Sequence, residues 1–168
     1  TIWNQGVIMA AKTGTYTLIS SQTVATSSAS VTFSSIPQTY TDLIAIVTPT
    51  QGSDLYVRFN SDSATNYSST WIYGSTPGST RASNTSSINI NWSSNNGNYL
   101  GIIQINDYSN ATTYKAALIK NGINGGGMDV GVGLWRNTAA INTLTFTGVN
   151  NYGVGSIIKL YGIEAGNL

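Results

Sequence analysis

Carboxylates are the main acid–base route this chain offers, and there are six: Asp42, Asp54, Asp62, Asp107, Asp129 and Glu164. The chain has no His and no Cys, which excludes imidazole bases, Ser-His-Asp triads, thiol nucleophiles, disulfides and His- or Cys-ligated zinc. A glycosidase-type pair would need two carboxyls facing one bond. Asp42 instead precedes an apolar run, Asp54 follows Gly52-Ser53 and Asp107 follows Asn106, all positions that turns and strand ends favour. The expectation is a non-enzymatic protein. Asn60-Ser61-Asp62-Ser63 places oxygen-bearing side chains as the start of a calcium loop does. It lacks the glycine at the sixth position and the bidentate Glu at the twelfth, so it reads as a turn, and neither a metal nor a cofactor is expected.

Aromatic rings are the other chemistry available. The chain has 4 Trp and 10 Tyr, and such rings serve sugar sites, protein contacts and ordinary sheet packing alike. Trp71 and Tyr73 share a strand phase, beside the polar stretch from Ser75 to Ser87. Trp92 shares its phase with Ile88 and Ile90. Trp135 falls out of phase with Val132 and Leu134, which points it outward unless something covers it.

The elements that must position these groups are strands. Period-two alternation recurs at Val31/Phe33, Leu55/Val57/Phe59, Ile88/Ile90/Trp92, Met128/Val130/Val132/Leu134 and Leu144/Phe146. Each run predicts a strand with that apolar set on a core and its partners wet. Leu43-Ile44-Ala45-Ile46-Val47 is continuously apolar and predicts a strand covered on both sides, by the core of a sandwich or by a neighbouring subunit. Leu100 to Ile105 is nearly so. Pro37 and Pro49 mark strand ends. Ser94 to Asn98, Gly125-Gly126-Gly127 and Asn150 to Gly153 are turn chemistry, and Ser75 to Ser87 is expected as a long surface loop. No capped helical stripe occurs. The fold class is all-β: an antiparallel β-sandwich, jelly-roll-like, with residues 1–14 as a short N-terminal arm and residues 15–168 as one domain.

Charge is scarce. Seven Lys or Arg face six Asp or Glu in 168 residues, while Ser, Thr, Asn and Gly make up nearly half the chain. No basic cluster marks a nucleic-acid footprint, and no apolar run reaches the length of a membrane span, so neither partner is expected. The opening residues lack the basic start and sustained apolar run of a signal peptide. A surface of hydroxyls and amides suits a protein held in a repeating assembly through flat, uncharged faces.

Several segments together carry a resemblance: Tyr16 to Val24, Ser30 to Pro37, Tyr40 to Leu43, Val57-Arg58-Phe59-Asn60, Gly133-Leu134-Trp135-Arg136, and Gly155 to Ile163. In that order, over roughly residues 15 to 163, the chain resembles small β-sandwich structural proteins of tailed bacteriophages, including phages of cyanobacteria. The resemblance implies a virion protein on the capsid exterior: a decoration (cement) protein that binds the major capsid protein, as a homotrimer, and stabilises the shell. The capsid or subunit contacts expected on this reading are Ile2, Trp3, Val7, Ile8, Trp135 and Ile157. The rival expectation is a tail-fibre or receptor-binding module that grips host surface glycans through Trp71, Tyr73 and Trp92. A free lectin is the third.

Overall fold

The structure, a computed structural model, describes residues 15–51, 54–74, 77–91, 99–123 and 127–164. Among them are twelve strands and no helix: β1 (Tyr16–Thr23), β2 (Ser28–Phe33), β3 (Asp42–Thr48), β4 (Leu55–Phe59), β5 (Tyr67–Tyr73), β6 (Gly78–Thr85), β7 (Ile88–Asn91), β8 (Tyr99–Ile105), β9 (Lys115–Ile123), β10 (Gly127–Trp135), β11 (Leu144–Tyr152) and β12 (Ile157–Ile163). They form an antiparallel sandwich. An eight-stranded sheet has the order β1-β12-β3-β8-β9-β10-β5-β6, and a four-stranded sheet has the order β2-β11-β4-β7. Without β5, β6, β9 and β10, the chain passes between the sheets as β1-β12-β3-β8 over β2-β11-β4-β7, the interleaved order of a jelly roll. The four other strands extend the larger sheet beyond β8.

The core lies between the sheets. Leu43, Ala45, Val47, Ile103, Ile105, Ile119, Ile158 and Leu160 come from the larger sheet, and Val31, Phe33, Leu55, Val57, Phe59, Ile88, Ile90, Leu144 and Phe146 from the smaller. Phe33 and Phe146 meet edge to face at 6.0 Å, a favoured geometry for two rings across neighbouring strands. At one end of the sandwich Phe59, Tyr67 and Trp135 form a second aromatic cluster, with Tyr67 and Trp135 stacked at 6.2 Å.

Several sequence expectations change: Asn150 to Tyr152, expected as turn, are the end of β11, and three further changes have a packing cause. The first concerns β10. Its apolar set Met128, Val130, Val132 and Leu134 faces outward, and the inward set is Asp129, Gly131, Gly133 and Trp135. The cause is space. A Cβ on Gly131 would lie 2.7 Å from the Trp71 ring, and one on Gly133 would collide with Ile88. Trp71 and Ile88 fill the core volume there, so the two middle inward positions, 131 and 133, have no room for a side chain. The second is the expected loop Ser75 to Ser87, most of which is strand β6. As the edge of the larger sheet it pairs, among the described residues, with β5 alone, from Tyr73↔Gly78 to Tyr67↔Thr85. A strand that buries no face shows no apolar alternation, and its hydroxyls and Arg81 suit an exposed edge. The third is β3. Leu43, Ala45 and Val47 are in the core, while Ile44, only 9% exposed, and the half-buried Ile46 lie on the outer face of the larger sheet, covered by their neighbours on that face and not by a second layer among the described residues.

The expected arm, residues 1–14, lies outside the described residues, and with it Ile2, Trp3, Val7 and Ile8.

Candidate functional site

The outer face of the eight-stranded sheet is the candidate site, and the pairing registers define it. Directly opposed residues of antiparallel strands share a face. One row therefore runs Leu18–Tyr161–Ile44–Gln104–Leu118–Val132–Thr70–Arg81. The next runs Ser21–Lys159–Ile46–Ile102–Lys120–Val130–Ile72–Ser79. A third carries Leu100 beside Gly122 and Met128.

Two apolar patches result. Tyr16, Ile44, Ile46, Ile102 and Tyr161 line a shallow depression of about 360 Å³ over β1, β12, β3 and β8. Leu100, Leu118, Met128, Val130, Val132 and Ile72 form the second patch, with Met128 71% and Ile72 64% exposed. Four strands at about 4.8 Å spacing make each patch about 14 Å wide. In the two full rows the only charged side chains are Lys159, Lys120 and Arg81, all cationic. β-branched and aromatic residues are good strand formers, so these positions stabilise the sheet while leaving apolar surface in water. Scattered exposed apolar residues need no explanation; these two patches are contiguous and lie side by side on one sheet face.

The sequence-predicted residues distribute differently. Ile157 is half-buried on the outer face, beside Thr48 and Thr23. Trp135 is not outward. It is 1% exposed and caps the core, with its indole Nε1 donating to Asp62 Oδ2 at 2.7 Å. Its phase follows Gly131 and Gly133, not the apolar residues between them, so it leaves the contact set. Trp71 also leaves the glycan set: it is 1% exposed, over Gly131, and its Nε1 has no acceptor among the described residues. Tyr73 is half-buried against the core, so it and Trp71 do not form an exposed sugar platform. Trp92 lies outside the described residues.

The carboxylates serve turns and strand ends. Phe59-Asn60-Ser61-Asp62 is a tight turn closed by Asp62 N to Phe59 O at 2.9 Å. Asn60 and Ser61 both have positive φ, as a type I′ turn requires. Asp62 then accepts from Ala64 N, Asn66 Nδ2 and Trp135 Nε1. Burial acts to raise its pKa, but these three donors outweigh it and hold the carboxyl below the usual carboxylate range. Asn60 spends its amide on the β10–β11 connection, through Ala140 O, Asn142 N and Thr143 N. Asp42 accepts from Asp107 N, Asp107 from Asn110, Asp129 from Gly74 N, and Glu164 from Thr17. Among the described residues no group of three or more acids could hold a metal ion.

Sequence reasoning missed the outer face as a unit, although two signals pointed to it. The uninterrupted run Leu43–Val47 puts apolar side chains on both faces of β3. The glycines at alternate positions of β10 mark the phase that a core too full for side chains would take. The chain matches no protein-family model and no curated protein.

Proposed function

We propose that this protein is a non-enzymatic virion structural protein of a tailed bacteriophage, a capsid decoration protein that binds the outer surface of the shell and stabilises it. The observation that carries the reading is the outer face of the eight-stranded sheet, apolar over two patches and bearing cations alone in its full rows. A complementary surface on the major capsid protein is apolar with a few carboxylates.

Size supports binding in many copies. Each patch is about 14 Å wide and about as long, so the two cover about 400 Å² of sheet. A standard stable interface takes about 800 Å² from each partner. One copy therefore binds weakly, whereas a homotrimer on a repeating lattice multiplies the contact. Binding to the assembled shell and not to free subunits shifts the shell toward the closed state by mass action. A shortage of ionic contacts makes the attachment salt-tolerant. The rival, a glycan-gripping fibre module, loses support because Trp71 is in the core and Tyr73 is packed against it.

The test is copy number per particle, by quantitative mass spectrometry of purified virions. A count comparable with the major capsid protein is expected, and a small fraction of it, or absence, overturns the reading. A companion variant, Val130→Asp, places a carboxylate in the middle of the second patch. It should weaken shell binding at least about tenfold while the protein stays folded, with its melting temperature lowered by no more than about 4 °C.

A further inference from the structure

On the other side of the sandwich lies a second concave surface whose chemistry is opposite to that of the sheet face. It is a cleft of about 500 Å³ where the β6–β7 connection meets the outer face of the small sheet. Its walls include Tyr56 and Arg58 of β4, Ser69 of β5, Ser86, Asn89 of β7 and Thr147 of β11. Tyr56 and Thr147 are directly opposed, and Tyr56 and Asn89 are opposed across the next ladder, so these three side chains share one face.

From these groups we infer that the cleft is a saccharide-binding site, which takes a short sugar chain. The volume lies within the usual range for small-molecule sites, and the lining mixes apolar surface, including Ala82 and the Tyr56 ring, with hydroxyls, an amide and a guanidinium. A ligand that fits must be small and rich in both donors and acceptors. Tyr56 adds one ring against which the C–H face of a sugar can pack.

An independent observation points to a missing partner. Asn89 is 93% buried by its 7% exposure, yet its Oδ1 has no donor among the described residues. Its side chain stands opposite Tyr56 across the β4–β7 ladder, on the cleft wall. A buried acceptor left without a donor is costly, and a sugar hydroxyl supplies one. Arg58 spends Nε on Ser86 O at 3.1 Å, and neither of its Nη groups has a partner among the described residues. Those N–H groups are donors for sugar oxygens. The inference stands apart from the capsid reading. If both hold, a protein docked through its large sheet turns the cleft toward solvent.

The test is saturation-transfer NMR on the whole chain with glucose, galactose, mannose and N-acetylglucosamine at tens of millimolar. Transfer from at least one of them is expected, with millimolar affinity. Thr147→Trp, a half-exposed strand position where a large side chain fills the cleft, should weaken binding at least about tenfold with the fold intact by circular dichroism. Asn89→Leu should do the same by removing the amide. No transfer from any of the four sugars makes the cleft a water-filled seam and overturns the inference. Transfer that survives Thr147→Trp in the folded variant places binding elsewhere and overturns it too.

Discussion

The inverted phase of β10 yields the sharpest prediction, because the two possible phases demand opposite outcomes from the same substitutions. In Gly131→Ala the new methyl lies 2.7 to 2.8 Å from three atoms of the Trp71 ring, about 0.7 Å inside ordinary contact. Trp71 is 1% exposed, so the ring has little room to retreat. Overpacking of this kind costs about 1–3 kcal/mol. The narrower unfolded ensemble of Ala returns about 0.4–1 kcal/mol. The net is about 1–2 kcal/mol of destabilisation. In a domain of this size that lowers Tm by about 2–8 °C. Val132→Asp, on the exposed face of the same strand, should cost no more than about 1 kcal/mol, mostly as lost strand preference. Gly122→Ala is the control, since nothing lies within 4 Å of its added methyl, and it should stay within about 0.5 kcal/mol. The assay is urea unfolding followed by far-ultraviolet circular dichroism, with midpoints compared at constant slope. If Gly131→Ala is silent while Val132→Asp abolishes folding, the apolar residues of β10 are inside and the reasoning fails.

Two more predictions concern titration at the aromatic end of the sandwich. Asp62→Ala should destabilise by about 2 kcal/mol, since it strands the buried indole N–H of Trp135, and Asp62→Asn, which keeps an acceptor, should recover part of that. Because the Asp62 carboxyl is held below its ordinary value of 3.8, its contribution is present above that pH and fades as the pH falls further, so wild type should lose more stability than Asp62→Asn on acidification. Tyr67 is pushed up to about 12, chiefly by burial, with its hydroxyl bonded to the Phe59 backbone. The folded state holds this proton after the unfolded chain has released it, so stability is complete below pH 10 and falls between 10 and about 12. Chemical denaturation across that range should show the decline, and a flat profile through pH 12 would contradict the burial of the hydroxyl.

Much of this protein is written in local sequence. The alternations Val31/Phe33, Leu55/Val57/Phe59 and Leu144/Phe146 bury the residues they mark, because each strand offers its core face large side chains that leave no competing arrangement. The absence of His and Cys removes whole classes of chemistry before any fold is known. Pro49 stops β3 directly after Thr48, since it has no N–H for a ladder. Other features are decided only by the tertiary structure. Strand order has no signature in a period of two, so the interleaving that makes a jelly roll appears only when β1 pairs with β12 and β2 with β11, more than a hundred residues away. β6 has no apolar face to reveal it, and the backbone of β5 is what makes it a strand. Trp71, Ile88 and the glycines of β10 show why a local pattern can choose the wrong face. Side chains compete for one finite core volume, and large residues of opposing strands can claim it from valines that would otherwise be inside. Those valines remain in the sequence as an apolar stripe, and only packing turns the stripe into a surface.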